Sequence, residues 1–437
     1  MPDFFVSSAS DIYIDSELGN DANPGTLASP KQGASVNLIK SLLASGVRVF
    51  MRGTWTNQDF SGVSTSGWEI APYGEGATLD ARVKQQSGWV NISGSRIWKR
   101  SLGSVGGVEG RVHRVLNGPS GPFSEGFDVA KKQITAATGA SLDAKVVSVL
   151  DAATSPSQSA FWYYDKATST LYVRSINSST DPWSAYNGLW TVQDGPNAYQ
   201  SGLVSLVSCS GIFFGPLTLL GSANPFQMTG GSGTLELDIR QCSHFSPAVK
   251  LIGTNATQLS QVTLSNPLID VNRPKEAVYY AVAGYDDGNG TRSITNGDLI
   301  QVSGVDIFRM YGGTLSGSLN AALNALTSAR SIGSILVSGT RFDLTRSNVG
   351  KAFVINPQAS LTSGRIEYAL VDGQPNASVL MAANTVVANS VWRGGQDGQI
   401  NNLVDKYEAR TWTLTENAGA VHFGGTSGMA TMANTWV

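Results

Sequence analysis

The sequence predicts an all-β chain wound as a solenoid of stacked parallel strands. Three observations carry that reading. From about residue 200 onward, short alternating strands closed by small polar corners recur again and again. Helical periodicity is rare along the whole chain. Very few Asn-Gly or Asp-Gly pairs sit where two-residue hairpins would need them, which favours parallel stacking over a β-sandwich. The segments "GTLELDIRQCSHF", "TQLSQVTLSNPLID", "GDLIQVSGVDIF", "GSILVSGTRFDL", "SGRIEYALVDG" and "SVLMAANTVVANSVW" vary one theme. With Leu235, Leu259, Leu299, Ile335 and Ile366 set as equivalent, the spacings are 24, 40, 36 and 31 residues. Coils with loops of unequal length produce such spacings.

The elements follow in order. Ile12 and Ile14 alternate with polar positions as a strand buried on one face. The run Gly19-Asn20-Asp21, Asn23-Pro24-Gly25 and Ser29-Pro30 supplies a tight turn. Ala34, Leu38, Ile39, Leu42 and Leu43 recur at helical spacing, so a short helix is expected within 32–45, capped by Ser35 and closed by Gly46. "VRVFMRGTW" and "GWEIAPYGEGATLDA" read as strands with a Gly-rich turn. Residues 100–200 break the coil theme, and "FWYYDKATSTLYVRS" reads as a hairpin turning at Lys166 to Ser169. The chain therefore divides into a cap and first coils (1–99), an inserted region (100–200), the main coils (201–400) and a Gly-, Ala- and Met-rich end segment (401–437) that caps the last coil or packs at a threefold axis.

The opening motifs carry a resemblance. "IYIDSELGNDANPGTLASPKQGAS", then Gly53-Thr54-Trp55, then Pro72-Tyr73-Gly74-Glu75 with Leu79-Asp80-Ala81, resemble the start of right-handed parallel β-helix proteins, the pectate-lyase-like enzymes and many bacteriophage tailspikes. Ala81 stands where those chains usually carry Gly. The later "FWYYDKATSTLYV" resembles a hairpin frequent in the same proteins. The resemblance implies a right-handed parallel β-helix whose short N-terminal helix plugs an end that would otherwise expose unpaired backbone and apolar core. It implies no single activity, since the fold hosts lyases, hydrolases and non-catalytic binders.

Composition narrows the partner. Charged residues make up 14 % of the chain, against roughly 25 % in typical domains, and the net charge is −2. With no Lys/Arg block, neither nucleic acid nor an anionic membrane is the expected partner. A neutral, hydroxyl- and amide-rich surface with ten Trp and thirteen Tyr suits a glycan. No apolar stretch is long enough for membrane insertion, and "MPDFFVSSAS" lacks the pattern of a signal peptide. Synthesis in a host cytoplasm, with release by lysis, fits a virion protein of a phage tail. Cys209 and Cys242 are expected as buried free thiols.

The expected function is therefore a phage tailspike or tail fibre, a homotrimer that binds a bacterial surface glycan and contacts other phage tail proteins. Depolymerase activity, a purely structural or adhesive role, and a bacterial lyase or glycoside hydrolase stand as alternatives. Glycoside hydrolysis needs two carboxyls, roughly 5–5.5 Å apart for retention and 6.5–9.5 Å for inversion. Coils stacked about 4.8 Å apart bring acids at equivalent positions into that range. The candidate catalytic residues are Asp286 and Asp287 in "YYAVAGYDDGNGTRS", with Asp306 about one coil later. Tyr279, Tyr280, Tyr285 and Trp392 are candidate sugar-stacking residues, and Arg292 a candidate for holding a carboxylate or hydroxyl. Asp270, Arg273, Lys275 and Glu276 form a second charged spot just before them. No cofactor or metal is expected: His113, His244 and His422 are scattered, and no zinc, P-loop or serine-hydrolase motif is present.

Overall fold

A computed structural model describes residues 10–56, 58, 60–103, 112–117, 134–152, 162–193, 203–242, 247–271, 285–286, 291–292, 298–317, 321–325, 332–344, 351–355, 361–373, 378–380, 385–388, 390–394, 398–401, 414–415 and 421–424. The chain is an all-β parallel β-helix. Each full coil contributes one strand to each of three parallel columns. Phe60–Val63 starts the first column, which continues through the start of Val204–Leu220 and of Phe226–Arg240, then Val249–Ile252, Ile300–Ser303 and Ala321–Ala325. The second runs from Ser10–Asp15 through Leu259–Ser265, Val305–Tyr311 and Ile332–Ser338 to Thr385–Ala388. The third includes Leu268–Asp270, Thr314–Ser316, Arg341–Asp343, Leu370–Gly373 and Ser390–Gly394.

Alternation explains the core. In the second column Val49, Ile70, Phe214, Leu235, Leu264, Met310, Val337 and Ile366 pair in sequence, and all are buried. Their neighbours along each strand point outward. Leu235 and Ile366 are thus true equivalents. Leu259 instead pairs with Gly231 and Val305, Leu299 precedes the first column, and Ile335 belongs to the ladder of Val262 and Phe308. Every one of these residues is buried, so apolar character alone could not separate the ladders.

The corner between the second and third columns turns through left-handed residues. Asn266, Gly312, Gly339 and Tyr368 follow register-paired residues and turn the chain with φ of 45°, 62°, 70° and 52°. Their N–H groups are stacked: Asn266 donates to Tyr311, Gly312 to Ser338 and Gly339 to Glu367.

The N-terminal helix is Val36–Leu42, with Ser35 as its N-cap and Val36 and Ile39 buried. It is shorter than the periodicity suggests because Gly33 sits at φ +62° and Asp21 receives the N–H groups of Gly33 and Ala34, holding that stretch as a turn. Trp55 Nε1 donates to the Gly33 carbonyl and ties the plug to the first full coil. Beside it, Asp15 is buried and accepts from the Glu17 and Leu18 N–H groups and from Arg52 Nε at 2.7 Å. Burial pushes the Asp15 carboxyl up, but those bonds outweigh it and the net shift is downward. A lowered carboxyl stabilises the fold above its unfolded-state value and loses that contribution as pH falls through the folded value. Wild type should therefore exceed Asp15→Asn by about 2 kcal/mol near neutral pH. The gap should close in acid below the ordinary Asp range, as read by urea unfolding of both proteins across pH.

The inserted region leaves the coil after Asp80 and rejoins it at Val204, so its departure comes earlier than residue 100. It holds a four-stranded antiparallel sheet, in which Trp162–Asp165 and Thr170–Arg174 form the expected hairpin, and a second sheet of three strands. Helix Leu142–Leu150 covers one face of the first sheet. Arg114 pins the insert to the solenoid: its Nη1 donates to the carbonyls of Cys242 (3.3 Å) and Val271 (2.7 Å) at the third-to-first-column corner. Arg82 adds bonds to Asp80 and Gln241. Cys209 and Cys242 are free and buried, and burial pushes the Cys209 thiol up to about 11. Among the described residues no helix is long and apolar enough to cross a membrane.

Candidate functional site

The three strands of a coil present different outer faces. In the third column each strand centres on one inward residue: Trp55, Leu79, Leu219, Ile239, Ile269, Leu315 and Phe342, all buried, in one continuous ladder. The residues on either side of it face out. On one side the paired order is Arg240, Asp270, Ser316, Asp343 and Asp372. Arg393 pairs with Asp372 and continues the same line. On the other side stand Asp238, Leu268, Thr314, Arg341 and Leu370. Asp238, Arg240, Asp270, Arg341 and Asp343 therefore set carboxylates and arginines along this face, and the register carries the line on to positions 372 and 393.

Within it, Arg240 meets Asp238 at 2.8 Å and Arg341 meets Asp343 at 3.7 Å. The bond to Asp238 holds the Arg240 guanidinium above its ordinary value, and Asp270 adds to that. Arg240 and Arg341 are about half exposed (51 % and 49 %), so the face is open to a ligand. Asp343 and Asp372 are the acids that register places opposite each other on adjoining coils.

Tyr368 borders the same face. It is 59 % exposed and sits at φ 52° in the corner position that other coils fill with Asn266, Gly312 and Gly339. A left-handed conformation costs a residue with Cβ about 1–2 kcal/mol. An exposed aromatic ring kept at such a position is a pointer to function. Tyr311, 41 % exposed, ends the second-column strand two coils earlier, about 10 Å along the axis. Beside Tyr368, Arg365 and Glu367 pair at 2.6 Å.

The first column differs. Its outer ladder is Ser205, Gln227, Lys250, Gln301 and Asn324. Ser205 and Asn324 are buried there, as is Asp298, which accepts from Ala321 N–H (3.1 Å), Gln301 Nε2 (2.9 Å) and Asn324 Nδ2 (2.9 Å). Burial holds Lys250 below its ordinary value, with Asn224 Oδ1 its acceptor at 3.3 Å.

The residues expected from sequence fall as follows. Tyr285 pairs with Arg292 and Asp286 with Thr291 in backbone register across a short antiparallel ladder. Tyr279, Tyr280 and Asp287 lie outside the described residues. The segment that carries them connects the third column at Asp270 to the first column at Ile300, with Asp298 at its foot. Asp306 is half-buried in the second column, flanked on the adjoining coils by Ser260 and Gly333 rather than by an acid. Trp392 pairs with Val371, in register with the inward ladder of Phe342 and Leu315. Asp343, Asp372 and Tyr368 were not among the expected residues. The signal for Asp343 and Asp372 is a recurring tripeptide with a central apolar residue, "LID", "RFD" and "LVD", which becomes visible once the register is known. Among the described residues no three His, Cys, Asp or Glu side chains gather as a metal site.

No protein-family model and no curated protein matches the sequence. Among solved structures, the chain is similar to the complex of XylC with xylose, with a TM-score of 0.46 and 9 % identity over 92 % of this chain and 72 % of that one. A glycoside hydrolase aligns with a TM-score of 0.36 and 10 % identity over 98 % and 96 % of the two chains. A GH136 lacto-N-biosidase from Eubacterium ramulus aligns at 0.31 and 10 %, over 98 % and 67 %. Likeness at this level carries no argument about activity; the architecture rests on the strand pairing itself.

Proposed function

We propose that this chain is a phage tailspike, assembled as a trimer, that binds a bacterial surface polysaccharide along its third-column face and hydrolyses it. The observation that carries the reading is the register pairing of Asp343 with Asp372. Two acids of equal length on paired positions about 4.8 Å apart match the separation of about 5–5.5 Å that retaining hydrolysis uses. In that mechanism one carboxyl protonates the leaving oxygen and the other attacks the anomeric carbon, then water releases the sugar. Arg341 holds a flanking hydroxyl or carboxylate, and Tyr311 and Tyr368 supply stacking surfaces. The neutral, hydroxyl-rich composition and the tailspike-like opening motifs support the same reading.

The test is incubation of the protein with capsular polysaccharide or lipopolysaccharide from a panel of bacteria. New reducing ends with retained anomeric configuration are expected. Reducing ends accompanied by an unsaturated ultraviolet-absorbing product would instead mean a lyase, and binding without cleavage an adhesin. Sedimentation of the same preparation should give the mass of a trimer.

Tyr368 gives a separable prediction. Tyr368→Asn relieves a left-handed backbone and should raise stability by up to about 1 kcal/mol. The same change should weaken glycan binding roughly tenfold, the loss of one stacking contact of about 1–2 kcal/mol. Thermal melts and glycan titrations on one preparation check both signs.

A further inference from the structure

The insert carries two buried donors that the described residues leave unanswered. Strand Ile97–Ser101 lies in the antiparallel sheet between Val90–Asn91 and Thr170–Arg174. Ile97 packs in the core beneath helix Leu142–Leu150, and Lys99 reaches Asp143 of that helix at 2.6 Å. Trp98 and Arg100 fall on the opposite face, paired with Val173 and Leu171. Those two belong to an apolar cluster that contains Trp162 and Tyr164.

On this face Trp98 Nε1 and Arg100 Nη1 are both buried, and neither has a hydrogen-bond partner among the described residues. Arg100 also has no ion pair among the described residues, unlike Arg82 with Asp80 and Arg96 with Asp151. Burial alone holds its guanidinium below the ordinary arginine value. Both side chains are half-buried, so each keeps part of its surface in solvent although the two donor atoms are covered.

The chemistry of the donors selects the ligand. An indole N–H and a guanidinium donate only; neither can accept. A buried donor without an acceptor, and a buried charge without a counter-charge, each destabilise the site they occupy. A hydroxyl would satisfy the indole and leave the charge uncompensated. A carboxylate supplies two acceptor oxygens in one plane, matching the guanidinium fork, together with the missing negative charge. We propose that the Trp98–Arg100 face of the insert is a binding site for a carboxylate-bearing ligand, separate from the carboxylate and arginine face of the coils.

The experiment uses the full chain labelled with nitrogen-15, following the tryptophan indole resonances, with that of Trp98 assigned from Trp98→Phe. Sodium D-glucuronate and sodium acetate are titrated separately, with D-glucose as the neutral control. Glucuronate is expected to move the Trp98 resonance and glucose to leave it in place. Acetate acting as strongly as glucuronate assigns the site to any small carboxylate; tighter glucuronate binding assigns it to a sugar acid. Arg100→Gln should weaken the interaction at least roughly tenfold, as loss of a charge-assisted bond does. If Arg100→Gln does not fold, Trp98→Phe carries the test by calorimetry, since it keeps a ring and removes the donor. No movement of the Trp98 resonance, an equal movement with glucose, or an affinity unchanged in the variant overturns the proposal.

Discussion

Asp343→Asn and Asp372→Asn are each expected to lower polysaccharide cleavage by about 10²–10⁴-fold, the range that a positioned acid or base contributes. Stability should hardly change. Asp343 is paired to Arg341 at 3.7 Å on an open face, and exposed pairs of that kind contribute about 0–1 kcal/mol. Thermal melts should therefore superimpose while the release of reducing ends collapses. Asp286→Asn and Asp287→Asn, made in parallel, decide between two placements of the chemistry. Cleavage that survives in Asp343→Asn and Asp372→Asn but disappears in the latter pair would move the active centre to the segment between the third and first columns.

Phe342→Ala should have the largest effect on stability. Phe342 is fully buried and follows Leu315 in the third-column ladder, in register with position 371 on the next coil. Removing a buried phenyl ring costs about 3–5 kcal/mol, part lost transfer energy and part cavity. It should appear as a marked fall in the urea midpoint. The change also reaches the site, because Arg341 and Asp343 flank Phe342 on the same strand. A cavity there loosens both outward side chains, so activity should fall even under conditions where the variant stays folded. Leu315→Ala, one coil earlier, should lose stability with a smaller loss of activity, since its neighbours are Thr314 and Ser316.

Much of the architecture is legible in the sequence. Alternation in "GTLELDIR" and its relatives announced strands, the scarcity of hairpin turns announced parallel stacking, and Ser35 with the apolar spacing after it announced the plug helix. These are local signals, set by side-chain period, turn chemistry and capping. The same locality explains the error in the repeat. Leu259, Leu299 and Ile335 are as apolar and as buried as Leu235 and Ile366, yet they sit in other ladders. Loops of unequal length erase the phase between coils, so composition cannot restore it.

The candidate site depended on that phase. A sequence search favours acids that are adjacent along the chain, which is how Asp286 and Asp287 stood out. Asp343 and Asp372 lie 29 residues apart and become neighbours only because the Arg341–Asp343 strand pairs with Leu370–Gly373. Tyr368 is likewise an unremarked tyrosine until its φ of 52° shows it in a corner otherwise given to glycine and asparagine. By itself, then, the sequence determined the strand-rich class, the parallel winding, the N-terminal plug and the neutral polar surface, all set within a few residues. Tertiary structure alone decided the register between coils, and with it which acids, arginines and rings share one face, because register is a sum over distant backbone hydrogen bonds that no short stretch of chain encodes.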